Sequence, residues 1–314
     1  MSSNEVQQNE IIDEEMKRII CIGLAVLDHV FYLPRIPNQP IKNFATNYQT
    51  VGGGNTATAA VAISRAGGQA VFWGNLGDDL NGDIILSELE GFGVNVEDVY
   101  RLDGLNSSVS TVLIDNEGER QITNYTDQKL LKNPDWLPLD KLGNSHAVLA
   151  DLRWEEGAIK ALCRARELGI PGVLDADLIP EVMNEEVIKN ATHVLFSEPA
   201  LNEFTQSKSM VESLHRVAEI NRGWVGVTEG ASGTRWLDNG KLKHVPAFKV
   251  KAVDTLGAGD VFHGIFALSL AEGHLENIAL IRASAAAALH CSKLGGRKTI
   301  PLRKEIESFI RQKS

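Results

Sequence analysis

Six short apolar runs recur along the chain with almost no polar residue inside them. They are Arg18-Ile19-Ile20-Cys21-Ile22-Gly23-Leu24-Ala25, Ala70-Val71-Phe72-Trp73, Ala147-Val148-Leu149-Ala150, Gly172-Val173-Leu174, His193-Val194-Leu195-Phe196 and Trp224-Val225-Gly226-Val227. Continuous runs of this length, rich in β-branched residues, predict strands covered on both faces. Between them the apolar positions shift to helical spacing, predicting helices over 55–66, 81–92, 155–168 and 209–221. Strand alternating with helix predicts an α/β fold, with a central mainly parallel sheet flanked by helices on both faces. No internal repeat, low-complexity tract or proline-rich linker divides the chain.

Two segments depart from this rhythm. Residues 30–51 and 107–126 alternate polar and apolar positions, and the second contains the turn Asp115-Asn116-Glu117-Gly118. Both predict antiparallel strands. They read either as a β flap over a ligand at the strand ends, where α/β sheets bind, or as edge strands of the main sheet. Residues 1–16 are polar and acidic with little to bury, and are expected to be a disordered tail before one domain at 17–314.

Charge and cysteines narrow the setting. With 31 Lys+Arg against 41 Asp+Glu, the net charge of −10 disfavours nucleic acid and anionic membrane surfaces as partners. The N-terminal residues lack the apolar stretch of a secretory signal, and no run reaches the roughly 18 apolar residues of a membrane helix. Cys21, Cys163 and Cys291 lie far apart, without the spacing of a zinc site or disulfide framework. A reduced, cytoplasmic location is expected.

The chemistry concentrates in Asp254-Thr255-Leu256-Gly257-Ala258-Gly259-Asp260, followed by an unbroken helical pattern. Small residues at a helix start let backbone N–H groups approach an anion, with the positive end of the helix dipole behind them. A carboxylate beside such a site is electrostatically awkward unless it removes a proton from an attacking hydroxyl; the plainer reading is an Asp capping a glycine turn. Gly52-Gly53-Gly54-Asn55 opens the first predicted helix, with Asn55 as N-cap, and its glycines admit a polyhydroxyl ligand close to the backbone. Asp28, just past the first strand, is suited to grip vicinal hydroxyls, or is an exposed turn residue.

Together, VGGGNTATAAVAISRAGGQAVFWGNLGDDLNG (51–82) and DTLGAGDVFHGIFALSLAEG (254–273) resemble the two signatures of ribokinase-like (PfkB) carbohydrate kinases, a likeness extending over about residues 18–312. The resemblance implies a ribokinase-like fold with a small β-sheet lid built from 30–51 and 107–126, and ATP with Mg2+ as cosubstrate. It implies Asp260 as catalytic base and Gly257, Ala258 and Gly259 as the anion hole. Asp28, Gly53, Gly54 and Asn55 would hold the sugar, Thr228, Glu229 and Gly230 the nucleotide phosphates, and Ser284 would lie beside adenine. Many members carry N-x-x-E where this chain reads Ser197-Glu198-Pro199-Ala200, leaving Glu198 to organise the metal through water.

Within the family the chain is most similar to bacterial 6-deoxy-6-sulfofructose kinases of sulfoglycolysis. That likeness rests on GLAVLDHVFYLPRIP, Lys42, Asn124-Tyr125, Leu149-Ala150-Asp151-Leu152-Arg153-Trp154, Leu174-Asp175-Ala176-Asp177, Phe196-Ser197-Glu198-Pro199 and Pro246-Ala247-Phe248-Lys249-Val250. It implies Lys42, Asn124 and Arg153 as an ammonium, an amide and a guanidinium around a sulfonate. A fructokinase, ketohexokinase or ribokinase acting on another sugar is the alternative, and a non-catalytic sugar sensor is a further one. A homodimer through the lid is expected.

Overall fold

The chain builds two separate sheets, and the interval between them decides where a ligand fits. The structure is a computed structural model that describes residues 16–179 and 182–313; the expected tail, apart from Met16, lies outside the described residues. In chain order the elements are β1 (Arg18–Ile22), β2 (Val26–Tyr32), β3 (Asn47–Gly53), α1 (Asn55–Arg65), β4 (Gln69–Trp73), β5 (Asn75–Gly77), α2 (Leu80–Gly91), β6 (Tyr100–Leu102), β7 (Val109–Ile114) and β8 (Arg120–Tyr125). There follow β9 (Ala147–Asp151), α3 (Glu155–Leu168), β10 (Gly172–Ala176), α4 (Glu185–Asn190), β11 (His193–Ser197), α5 (Glu198–Thr205), α6 (Met210–Ile220), β12 (Trp224–Thr228), β13 (Thr234–Asp238) and β14 (Lys241–Val245). Three helices close the chain: α7 (Ala258–Ala271), α8 (Glu276–Cys291) and α9 (Arg303–Lys313).

The main sheet has the order β14-β13-β12-β11-β10-β9-β1-β4. Its strands from β12 to β4 pair in parallel, and β13 and β14 add an antiparallel edge. Each apolar run feeds both faces in alternation. Ile19 and Cys21 join a core with α1, α7 and α8, while Ile20 and Ile22 join another with α3 to α6. Burial on both faces is why these strands read as continuous runs rather than alternating ones. The β13–β14 hairpin turns at Asn239 and Gly240, both with positive φ (49° and 74°), a pairing that suits a tight hairpin.

The first apolar run is not one strand. β1 ends at Ile22, and the chain bends at Gly23 and re-enters as β2 in the second sheet. A Cβ at Gly23 would lie 2.2 Å from an oxygen of Asp151, so only glycine permits this close approach. The second sheet has the order β3-β2-β7-β8: two antiparallel hairpins joined by a parallel β2–β7 pair. The alternating segments are therefore no edge strands of the main sheet. Their strands occupy 26–32 and 47–53, displaced from the expected 30–51 because 33–46 is a loop, and 109–114 and 120–125 around the turn at Asp115.

α7 is buried on every side along Val261 to Leu270, between α1 and α8, with His263 and Ser269 as its buried polar residues. Gly264 makes the α1 contact close; a Cβ there would meet the Ala59 carbonyl at 2.5 Å. Helix and sheet thus fix the α7 N-terminus at the carboxyl ends of the central strands. No helix among the described residues is long and apolar enough to cross a membrane.

Candidate active site

A cavity of about 520 Å3 opens between the carboxyl edge of the main sheet and the second sheet. The first turn of α7 forms part of its wall through Leu256, Gly257 and Asp260. Gly257 is the N-cap, in the left-handed region at φ 75°, and no side chain caps the helix. Ala258 N donates to Thr255 O at 3.3 Å, the next N–H groups, of Gly259 and Asp260, are left to meet an anion, and the space a Cβ would take at Gly259 is empty. The preceding loop is held from several sides. Asp254 Oδ1 accepts from Leu256 N (3.0 Å) and from Arg120 Nη2 (2.6 Å), while Cys291 O accepts from the backbone N–H groups of Val253 and Asp254.

Asp260 stands in that first turn. Burial raises its carboxyl well above the usual range; Asp175 and Asp177 push it further up, and His263 and Arg297 oppose them. A carboxylate with raised affinity for a proton, beside open N–H donors, can take a proton from a hydroxyl while the donors steady an anion.

Across the cavity, Asp28 lies in the middle of β2, buried and opposite Ser110 of β7, which hydrogen-bonds it. Burial raises its carboxyl too, with Ser110 and Arg297 acting against that. The adjacent glycines are sterically required: a Cβ at Gly53 would fall 2.2 Å from Asp28 Oδ2, and one at Gly54 (φ 90°) 2.3 Å from Leu24 O. Asn55 is not the N-cap. Gly54 is, without a side-chain bond, and Asn55 begins α1 with its side chain hydrogen-bonded to Asp175.

Asp151, at the end of β9, ties three segments of the wall together. Oδ2 accepts from Leu24 N and Thr56 N, both at 3.2 Å, and from Thr56 Oγ1 at 2.5 Å; Oδ1 accepts from Arg153 N at 2.8 Å. Arg153 thereby faces the cavity, as does Asn124 of β8, whose Nδ2 donates to Ser110 Oγ (3.1 Å) and Val109 O (3.2 Å). Lys42 is not brought to this wall. It is exposed in the 33–46 loop, with its ammonium 5.4 Å from the Phe44 ring centroid.

The residues expected at the nucleotide do not line this cavity either. Thr228 ends β12 beside Ser197, Glu229 pairs with Arg235 (2.5 Å), Gly230 is exposed in the turn that follows, and Ser284 is buried in α8. Glu198 is exposed at the start of α5, next to Ser197, whose hydroxyl donates to Asp177. Among the described residues no three His, Cys, Asp or Glu side chains cluster to hold a metal. A hard cation held mainly by phosphate oxygens and water, with one carboxylate nearby, fits this arrangement.

Little in the sequence singles out Arg297. Its guanidinium is buried in the wall, donating to Gly53 O (2.7 Å), Glu88 Oε2 (2.9 Å) and Thr58 Oγ1 (3.2 Å). It supplies positive potential between Asp28 and Asp260. The only local hint was the Gly295-Gly296 pair before it.

Comparison with known proteins bears on the family and the fold. The model of the pfkB family carbohydrate kinases matches residues 16–303. A ribokinase of Bacillus subtilis is 29% identical over 303 residues, covering 94% of this chain and 100% of the relative. A fructokinase of Vibrio alginolyticus is 29% identical over 286 residues, covering 83% and 92%. Among solved structures, an Agrobacterium tumefaciens protein provisionally assigned as a ribokinase superposes with a TM-score of 0.90 at 37% identity, covering 95% of this chain and 98% of that one. The Arabidopsis thaliana ribokinase solved with ribose and ATP shares the fold, with a TM-score of 0.82 at 22% identity, covering 94% and 99%.

Proposed function

We propose that this chain, which belongs to the pfkB family of carbohydrate kinases, transfers the γ-phosphoryl group of ATP to O1 of 6-deoxy-6-sulfofructose. The observation that carries the transfer chemistry is Asp260 in the first turn of an uncapped helix whose N–H groups open into the cavity. Asp260 takes the proton of the attacking hydroxyl as the oxygen bonds to phosphorus. The N–H groups around Gly257, Ala258 and Gly259 steady the charge on the transferred group. Asp28 and Asn55, with the backbone at Gly53 and Gly54, orient the sugar.

The nucleotide lies along the carboxyl edge of the main sheet toward Thr228, Glu229, Gly230 and Ser284. Mg2+ would offset the charge of the nucleotide phosphates, and Glu198 would hold it through water. The sulfonate is assigned to Asn124 and Arg153, which face the cavity; in this arrangement Lys42 adds nothing to it. The enzyme works in the cytoplasm as a homodimer through the second sheet and its 33–46 loop, the lid, where Phe44 (75% exposed), Tyr48 (50%) and Tyr125 (52%) leave apolar surface to cover.

A second reading, a kinase of fructose or ribose, is favoured by the names of the relatives. Sugar-dependent ADP release with Mg2+, measured on 6-deoxy-6-sulfofructose, fructose, fructose 6-phosphate and ribose, separates the readings. The highest kcat/KM is expected for the sulfonated sugar. A preference for fructose or ribose would replace the substrate and keep the chemistry, whereas ADP release with none of them would return the chain to a sugar sensor.

A further inference from the structure

Behind Asp260 lies a buried polar group that touches neither substrate in the proposed reaction. His263, one turn along α7, is 3% exposed. Its Nδ1 lies 2.8 Å from Gly259 O, its Nε2 3.2 Å from Leu195 O, and the same Nε2 3.5 Å from Asp175 Oδ1. Carbonyl oxygens only accept. A neutral imidazole, with one N–H, satisfies one of these carbonyls and turns a lone pair on the other; a ring protonated on both nitrogens donates to both.

The surrounding charge favours the same state. The elements packed around α7 bring Asp151 and Arg153 from β9 and the turn after it, Asp175 and Asp177 from β10 and its end, and Arg297 from before α9. From α8 comes His290, whose ring lies between Leu256 O and Thr299 Oγ1. Arg297 is committed to Glu88, and Arg153 faces the cavity. Four aspartates, counting Asp260, thus crowd one corner. Burial pushes the Asp175 carboxyl well up and the His263 ring down. The raised Asp175 carboxyl holds a proton within the pair, burial of the ring acts against its sitting on His263, and the two facing carbonyls draw it there.

We propose that Asp175 and His263 form a one-proton unit, a carboxylate–imidazolium pair in which both ring nitrogens donate, and that this unit positions Asp260 and keeps its carboxyl ionised at neutral pH. The inference rests on Asp260 as the base. The ring clamps Gly259 O, the carbonyl joined to the Asp260 nitrogen, and its charge cancels that of Asp175 at the base. His263 is thus a positioning residue that acts through Asp260.

Nitrogen-15 NMR of the wild-type enzyme labelled in histidine gives the first test. One of the eight histidines should keep both ring nitrogens protonated at pH 8; eight neutral or ordinarily titrating rings would overturn the proposal. The second test is the acid limb of the pH profile of kcat/KM. Since protonation silences the base, activity falls as pH drops through the Asp260 pKa. In His263→Asn that limb should move up by about one pH unit or more, and Asp175→Asn in the same background should bring it back toward wild type. A purely structural histidine would lower the melting temperature and leave the limb in place, which would also overturn the proposal. If His263→Asn does not fold, the NMR result decides. Failure of Asp260 as base is a separate outcome, read from full turnover in Asp260→Asn with the doubly protonated ring still present.

Discussion

The two walls of the cavity differ in how firmly they are held. The wall from the main sheet and α7, with Arg297 from the segment before α9, is buried and bonded several times over: Asp151 accepts four hydrogen bonds, and Arg297 donates to three partners, one of them Gly53 at the end of β3. The wall from the second sheet ends in β8, exposed from Gln121 to Tyr125, where Asn124 donates to Val109 O and Ser110 Oγ and accepts from its neighbour Thr126, at 3.0 to 3.2 Å. Side chains over-determined by packing keep a reacting geometry, while side chains on a thin sheet are cheap to exchange. On the proposed function, this contrast assigns reaction chemistry to the first wall and choice of sugar to the second.

Substitutions on the buried wall should then harm every sugar alike. Asp260→Asn is expected to lower kcat by about 1,000-fold or more on all sugars, in the range of lost general-base catalysis. Calorimetry should find sugar binding within a few-fold of wild type. Near-full turnover in this variant would sink the assignment of the base. Arg297→Met should act on the fold first, because it takes the cation from beside Glu88 and removes three donated bonds. A loss of about 3–5 kcal/mol is expected in denaturant unfolding, as when a buried ion pair is broken from one side. A loss under about 1 kcal/mol would show that the wall is not pinned there.

On the facing side the effects should become selective. Asn124→Ala and Arg153→Ala should each cost the sulfonated sugar about 1.5–3 kcal/mol, or roughly 10- to 150-fold in kcat/KM, the scale of a hydrogen bond to a charged group. Fructose turnover should stay within a few-fold; equal losses on both sugars would remove the sulfonate role. Arg153 sharpens the comparison, since it selects although the buried wall carries it. The smallest effect is expected where the walls meet. Arg120 of β8 reaches across to Asp254 and Thr255 in the loop before α7. Its ion pair is only partly buried, so Arg120→Ala should cost about 1 kcal/mol at most in stability, and a several-fold fall in kcat on every sugar would show that the second sheet steadies the anion loop.

The buried wall was also the more legible one in the sequence. Strands covered on both faces announce themselves as apolar runs, and α3 occupies the predicted 155–168. The small residues before Asp260 carry their own local logic, because a helix start open to an anion requires them. What stayed hidden depends on partners far along the chain. The break at Gly23 follows from the Asp151 carboxylate, and Arg297 bonds residues 209 to 244 positions away. The Asn239-Gly240 turn is a hairpin signal visible in the sequence itself. Lys42 shows the converse difficulty: a resemblance placed it by position, but the 33–46 loop has no regular structure to direct its side chain inward.

Asp151 has a consequence for assembly of the chain itself. Its partners Leu24 and Thr56 lie 127 and 95 residues earlier, and Arg153 two residues later. The bend into the second sheet, the start of α1 and the turn that carries Arg153 therefore share one acceptor. A chain in which any of these segments is misplaced leaves a buried carboxylate short of donors, a costly state. Half-built versions of the pocket are thereby discouraged, and the residue acts as a checkpoint through which distant parts of the sequence arrive in place together.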